Sequence, residues 1–307
     1  MGNIFLIPYT HGGKQMAKKY KKRFGDRKEG RKVRTLHPME YVSPYIMVER
    51  NDASNFFRDS FEVTKAEEFI KKKRDEGLKD FGYTHLLIAT YVRVVSQFPG
   101  INRFIGGQKI YARDEIIVNM MVKKKMQTNE QGTAIKVKFD PSDTIDQVYH
   151  KFQNAVNEVY EGGSNGFDQT AALINKIPGL LKKFIVWCLK TMDYFDILPR
   201  AISNVSPFHG SLFVTSMGSL GIMPIYHHLY NFGNVPVFIA FGAKRKAYEV
   251  SRTGEVLKSL YIDIAVVTDE RICDGFYFAS AFRKFNHYIK HPEALEVAPE
   301  TVVEDIP

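Results

Sequence analysis

The strongest constraint on the fold lies in the last third of the sequence, where short apolar runs follow one another before a single helix. There are four such runs: Ser211–Ser216, Val235–Gly242, Ala247–Val250 and Leu257–Thr268. The first two are short and continuously apolar, which favours buried strands. The last two flank the turn-forming triplet Arg252-Thr253-Gly254 and are predicted to form a hairpin. A final helix is predicted from Phe276 to about His291.

The first two thirds of the sequence alternate between helical and strand-like patterns. A helix is predicted from Thr64 to about Gly77, because Thr64 and Glu67 have the spacing of a capping box. A strongly apolar helix is predicted over 84–97, and a third helix begins at Thr144. Strands are predicted at 109–112, 115–122 and 133–139, the first two on either side of Arg113-Asp114. Helices, then strands, then one helix predict a two-layer α/β sandwich with a mixed sheet flanked by helices.

Positive charge is concentrated near the N-terminus. The chain has a net charge of +9 and a pI near 9.3, and residues 14–34 carry eleven basic residues against Asp26 and Glu29. Such a run attracts an anionic lipid surface, nucleic acid or an anionic cofactor, or it is simply a solvated arm. Nucleic acid is the weakest of these partners, because no zinc spacing or RNA-binding signature accompanies the charge. We expect a basic arm at 1–36, a main domain at 37–297 and a tail at 298–307.

A hydrophobic helical insertion is predicted at about 168–205, and it contains the only tryptophan, Trp187. An amphipathic helix here would cover an acyl tunnel, lie on a membrane or pack on the core. The apolar runs are far too short to span a bilayer. Cys188 and Cys273 make no disulfide framework, and no secretory signal precedes them. The expected location is therefore the cytoplasm, with membrane contact at most peripheral.

Several motifs occur in an order and at a spacing that point to one superfamily. Thr215–Gly221 is a small, hydroxyl-rich strand end before a Gly-x-x-Gly turn, and Ile239–Ala243 is a strand with the basic exit Lys244-Arg245. Arg271–Phe276 forms the corner before the last helix. Together these motifs resemble the chloramphenicol acetyltransferase-like superfamily, which includes the catalytic domains of dihydrolipoamide acyltransferases. The resemblance runs from about Pro38 to Leu295.

The resemblance assigns roles to the corner before the last helix. The family motif is His-x-x-x-Asp-Gly, whose His takes a proton from a thiol or hydroxyl acceptor. Asp274 and Gly275 match its last two positions, and Arg50 falls at the family's structural arginine, the expected partner of Asp274. The glycine is expected to let the helix begin close to the strand. The His position holds Glu270, whose ordinary pKa of about 4.3 makes proton transfer from a thiol of pKa about 8.5 uphill.

Three interpretations of this substitution stay open. Glu270 is a base retuned by burial, or a histidine elsewhere has taken over the role, or the site is chemically silent and the fold serves binding or assembly. His227, His228 and His209 are the candidate replacement bases. Each of these histidines also has an ordinary packing or surface role as its alternative.

The resemblance also implies a donor, a cofactor and an assembly. Thr215 or Ser216 falls where the family has a hydroxyl that donates to the oxyanion. Lys244 and Arg245 are candidate contacts for coenzyme A or acyl-CoA, the expected substrate. The implied assembly is a homotrimer that shares its sites between copies and acts on a small-molecule donor and acceptor. No metal site is expected, and neither a lipoyl domain nor a covalently attached lipoyl group is expected.

Overall fold

The computed structural model describes residues 21–123, 132–161, 172, 174–251 and 253–305. Nine strands occur in these ranges: Gly30–Lys32 (β1), Ser54–Glu62 (β2), Phe104–Gly106 (β3), Lys109–Arg113 (β4), Ile116–Lys123 (β5), Gly132–Phe139 (β6), Leu212–Ser216 (β7), Val237–Val250 (β8) and Val256–Asp269 (β9). Six of them form a sheet in the order β2-β9-β8-β7-β5-β6. This sheet is mixed, because β7 runs parallel to both β5 and β8 while the other pairs are antiparallel.

Seven α-helices accompany the strands in the described ranges: Pro38–Ile46 (α1), Thr64–Asp75 (α2), Tyr83–Val95 (α3), Ile145–Tyr160 (α4), Gly179–Tyr194 (α5), Arg200–Val205 (α6) and Gly275–Lys290 (α7). Buried side chains of α2, α3, α4 and α7 form one core with the sheet. Alternate residues of each strand point to that core, as Val214, Ile239 and Val266 do. The predicted two-layer α/β sandwich with a mixed sheet is confirmed.

A second, three-stranded sheet, in the order β1-β4-β3, includes part of the predicted basic arm. Residues 30–32 pair with Tyr111–Arg113, and Val33 is buried in a small cluster beside them. Arg27 is also buried. Residues 27–33 therefore belong to the folded domain, because the backbone of β1 is paired and its flank is apolar. Residues 1–20 of the predicted arm lie outside the described residues.

The hairpin predicted in the last third forms from β8 and β9, with Arg252 outside the described residues. The two strands predicted around Arg113-Asp114 do not pair with each other, because β4 joins the small sheet and β5 joins the large one. The capping box predicted at Thr64 is wrong. Val63 occupies the cap position, and the hydroxyl of Thr64 accepts from the Leu260 N–H at 3.2 Å.

The predicted insertion contains α5 and α6, while residues 168–171 and 173 of it lie outside the described residues. The predicted tail, as far as residue 305, lies against the domain. Arg103 makes a two-pronged ion pair with Asp305, and the Val303 N–H donates to the Ser96 carbonyl at 2.8 Å. Within the described residues, no helix combines the length and the apolar character that crossing a bilayer requires.

Candidate active site

The corner that the sequence singled out joins β9 to α7. β9 ends at Asp269, residues 270–272 make one 3₁₀ turn, and Asp274 is the N-cap of α7. The Asp274 carboxylate accepts from the Tyr277 N–H at 2.8 Å, the ordinary way of satisfying a donor at a helix start. A Cβ at Gly275 would meet no described atom within 4 Å. The glycine is therefore not required by close approach to the strand, contrary to the expected role.

A buried carboxylate, Asp269, holds the corner together. Arg271 donates to it through Nε and Nη2, both at 2.7 Å, and Arg50 Nε lies 3.4 Å from its Oδ2. The expected pairing of Arg50 with Asp274 is therefore wrong, because the carboxylate one residue before Glu270 takes that place. A buried carboxylate between two guanidinium groups fixes the backbone on both sides of residue 270.

The two arginines also connect the corner to two other segments. Arg271 Nη1 donates to the carbonyls of Met47 and Val48, just after α1. Arg50 Nη1 donates to the carbonyls of Tyr230 and Gly233 at 2.8 and 2.7 Å. The corner is thus tied to α1 and to the loop before β8 by donors that have little freedom to move.

Glu270 itself is exposed in the single chain. Its N–H donates to the Ala53 carbonyl at 2.8 Å, which holds its backbone beside the start of β2. A cavity of about 220 Å³ opens beside the corner and is lined by Arg50, Arg271 and Lys190, among others. Glu270 is not one of its lining residues. Its exposed side chain therefore lies outside the cavity that the neighbouring Arg271 lines.

The hydroxyls of Thr215 and Ser216 lie half-buried at the end of β7. Ser216 is opposite Phe241 on β8, whereas Thr268, just before the corner, is opposite Val237. Four residues of strand, about 14 Å, separate these positions. A single chain therefore does not bring either hydroxyl to Glu270.

The three candidate histidines have different surroundings. His227 stacks on Phe238 with ring centroids 4.3 Å apart, and burial together with His228 lowers its pKa. His228 is exposed. His209 is 1% exposed and has both ring nitrogens engaged, Nδ1 with Ser206 Oγ at 2.9 Å and Nε2 with Asp193 at 3.2 Å. No ring nitrogen of His209 is left to take a proton from an acceptor.

The two candidate cofactor contacts, Lys244 and Arg245, follow a bulge in β8 just beyond the hydroxyls of β7. Lys244 Nζ donates to Glu67 at 2.6 Å, and Arg245 makes a two-pronged ion pair with Asp263. Both cations therefore have carboxylate partners. The Lys244–Glu67 pair lies at the surface, where such pairs contribute little stability, whereas the Asp263 carboxylate that holds Arg245 is buried.

A second, more polar cavity of about 360 Å³ lies under the insertion and was missed by the sequence analysis. Glu29, Arg113, Lys136, Asp193 and His209 are among its lining residues. Burial lowers the pKa of Lys136 to about 8, and its ammonium donates to the carbonyls of Ser203 and Ser206. These residues are scattered from 29 to 209, so no local pattern could have indicated the cluster.

No set of three or more His, Cys, Asp or Glu side chains suited to a metal occurs in the part of the chain that the structure describes. A scan against protein-family models and a search of the curated proteins found no match. The structure is nevertheless similar to solved acyltransferases. A probable dihydrolipoamide acetyltransferase from Listeria monocytogenes has a TM-score of 0.56 and 12% identity over 85% of this chain and 95% of that one.

Two further structures extend the likeness. Dihydrolipoamide acetyltransferase from Azotobacter vinelandii, whose catalytic mechanism was probed at a serine, a histidine and an asparagine, has a TM-score of 0.56 and 10% identity over 94% of this chain and 99% of that one. A chloramphenicol acetyltransferase has a TM-score of 0.53 and 11% identity over 82% and 94% of the two chains. The chain therefore has the chloramphenicol acetyltransferase-like fold, and at this level of identity the likeness shows the fold alone.

Proposed function

We propose that the protein is an acyltransferase that moves an acyl group from coenzyme A to a hydroxyl or thiol acceptor, at sites shared between the copies of a homotrimer. The observation that carries the proposal is the placement of Glu270. It lies in a corner fixed by Asp269, Arg50 and Arg271, and its side chain is exposed outside the cavity that both arginines line. A reactive group held by rigid neighbours is what acyl transfer needs.

Sharing of the site between copies rests on two surfaces. Next to the Glu270 corner, α1 and the segment just after it expose apolar side chains: Met39, Val42, Tyr45, Ile46 and Val48. The loop after Ser216 does the same: Leu220, Ile222, Met223, Ile225 and Tyr226. Exposed apolar patches mark interaction surfaces, and different patches that meet head to tail close into a ring. Such a ring would bring Glu270 of one copy toward Thr215 and Ser216 of the next.

The proposed chemistry divides the work between the two copies. The Glu270 carboxylate takes the proton of the acceptor, whose oxygen or sulfur attacks the thioester carbonyl. A hydroxyl from Thr215 or Ser216 of the neighbouring copy donates to the oxyanion. The intermediate then collapses, the carbon–sulfur bond breaks and the coenzyme A thiolate takes the proton back from Glu270.

The donor's phosphates are proposed to bind Lys244 and Arg245. These cations lie at the same end of the sheet as Ser216, and the surface partner of Lys244, Glu67, would be exchanged for phosphate. Both cysteines are free, which is typical of a reducing compartment. We therefore place the reaction in the cytoplasm.

The experiment is turnover of a panel of acyl-CoA esters by the purified protein, read as free thiol. Glu270→Gln keeps the shape and removes the base, so we expect a loss of about 10²–10⁴ in kcat. Glu293→Gln, at an equally exposed glutamate far from the corner, is the matched control and should keep full turnover. Unchanged turnover in Glu270→Gln would remove this residue from the mechanism.

A non-catalytic binding or scaffold protein of the same fold is the second candidate. It is favoured because Glu270 stands where the family has histidine and does not line the adjacent cavity. Glu270→His separates the two candidates. Gain of turnover from an inactive wild type would show a preserved site that has lost its base. An inactive wild type and an inactive Glu270→His variant, both trimeric, would leave assembly as the function.

A further inference from the structure

The helix α5 differs from the other α-helices of the described residues, because the rest of the domain does not bury any of its side chains. None of its sixteen residues is buried. Large apolar side chains of α5 are exposed to between 41% and 89%: Leu180, Leu181, Phe184, Val186 and Trp187. An exposed apolar surface of this kind on a water-soluble domain marks a place where something binds.

The exposed apolar side chains of α5 are regularly spaced along the helix. Leu180, Phe184 and Trp187 are four and three residues apart, so they form one stripe along the helix. The rings of Phe184 and Trp187 stack with centroids 5.8 Å apart. Lys183 and Lys190 are seven residues apart, are both exposed and border the stripe on one side. An aromatic and aliphatic stripe bordered by lysines is the pattern of helices that lie at a membrane surface.

The structure connects α5 to the basic arm. Arg27 donates to the Asp193 carbonyl at 2.9 Å and to the Tyr194 carbonyl, and so holds the C-terminal end of the helix. The N–H of Lys28 donates to Asp196 at 3.1 Å just beyond it. Residues 21–25 of the arm are all exposed, including the ring of Phe24. A cationic segment is thus fixed at the C-terminal end of the helix that carries the apolar stripe.

We propose that α5, together with the adjacent arm, binds the surface of an anionic lipid bilayer. The stripe of Leu180, Phe184 and Trp187 enters the boundary between headgroups and acyl chains, and Lys183 and Lys190 lie at the level of the phosphates. Stable attachment to a membrane needs two signals. Here the two signals are the apolar stripe that enters the bilayer and the set of cations that binds its headgroups. The partner is a lipid surface, and of the two α5 lysines Lys190 also lines the cavity beside the Glu270 corner.

Charge favours a bilayer over a second copy of this helix as the occupant. Asp193 is the one acidic residue of α5 in the sequence 179–194, and it is engaged by His209. Two α5 helices packed together would therefore bring lysines of like sign close to one another, with no carboxylate on either helix to pair with them. An anionic headgroup layer supplies the missing negative charge.

Trp187 makes the test direct, because it is the only tryptophan of the chain. Purified wild-type protein is mixed with vesicles of phosphatidylcholine plus phosphatidylglycerol, and with vesicles of phosphatidylcholine alone. We expect a blue shift of Trp187 emission and co-sedimentation with the anionic vesicles, both reversed by added salt. We expect neither with phosphatidylcholine alone.

Two pairs of variants locate the binding surface. The double variant Lys183→Gln with Lys190→Gln should weaken binding to the anionic vesicles about fivefold for each lysine removed. Its control is the double variant Lys246→Gln with Lys258→Gln on the exposed β8–β9 hairpin, which should bind these vesicles as the wild type does. Leu180→Gln with Phe184→Gln should abolish the blue shift, and Val256→Gln is its control. Circular dichroism checks that each variant folds.

Three results would overturn the proposal. The first is no shift and no co-sedimentation with either kind of vesicle. The second is equal binding to both kinds, which would remove the role of charge. The third is Trp187 emission that is already blue-shifted without lipid and moves to the red on dilution, because then a second copy covers α5.

Discussion

At the scale of single residues, the main finding is that the carboxylate bracing the corner is Asp269 and not Asp274. Both are acidic residues close to Glu270, and sequence alone does not show which of them is buried. The resemblance favoured Asp274, which the structure places at an exposed helix start. Asp269 is 1% exposed and lies between Arg50 and Arg271, so its charge is compensated on both sides.

This arrangement predicts different stabilities for two similar substitutions. Asp269→Asn leaves two buried guanidinium groups without a carboxylate and should lower the free energy of unfolding by about 3–5 kcal/mol. Asp274→Ala removes an N-cap and should lower it by about 1 kcal/mol. Urea unfolding of both variants provides the comparison.

A double-mutant cycle identifies the partner of Arg50. Arg50→Ala combined with Asp269→Asn should show a coupling of about 0.5–3 kcal/mol, while Arg50→Ala combined with Asp274→Ala should be additive to within about 0.5 kcal/mol. Strong coupling to Asp274 and none to Asp269 would mean that the corner is built as the resemblance first implied.

At the scale of elements, α3 is the helix most enclosed by the core, and it carries a titratable group. His85 packs against Phe81 and Tyr149, with ring centroids 5.6 and 4.9 Å away. Its Nδ1 accepts from the Gly82 N–H at 3.2 Å and so satisfies a donor at the helix start. Burial lowers the pKa of His85 to about 4 from its ordinary 6.5. The folded state therefore resists protonation of this ring.

The consequence is a loss of stability in acid. Below pH 6.5 the unfolded chain binds a proton at His85 that the folded chain does not bind until about pH 4. The free energy of unfolding should fall across that window, by about 3 kcal/mol at pH 4. His85→Gln keeps an acceptor for Gly82 and should flatten this part of the profile. His150→Gln, at an exposed histidine, should leave the slope unchanged, and an equal slope in His85→Gln would refute the assignment.

The elements that the sequence predicts well are those whose pattern is local. Thr144 caps α4, as its position before the apolar stripe indicates, and Asp274 caps α7. The capping box predicted at Thr64 does not form, because tertiary contacts engage the Glu67 side chain. Glu67 is held by Tyr83 at 2.5 Å and by Lys244, which come from distant parts of the chain. The separation of β4 and β5 into different sheets could not be predicted either, because a turn at Arg113-Asp114 does not reveal which strands will pair.

At the scale of the whole molecule, the sequence identifies the fold but not a complete site. Glu270 and the hydroxyls of Thr215 and Ser216 are at opposite ends of the sheet in one chain. No rearrangement within a chain of this register brings them together, whereas apolar patches beside each of them offer a way to join two copies. The exposed helix α5 adds a third surface, and its C-terminal end shares the cavity beside the Glu270 corner.

The central claim is that one site is made by two copies, and subunit complementation tests it most directly. Glu270→Gln should be inactive toward acyl-CoA. The double variant Thr215→Val with Ser216→Ala should also be inactive, because each lost oxyanion donor lowers kcat by about 10²–10³. When the two proteins are unfolded, mixed in equal amounts and refolded as trimers, about a quarter of the sites should carry both intact halves. Recovery of about a quarter of wild-type turnover is the predicted result, and mixed trimers no more active than their parents would contradict it.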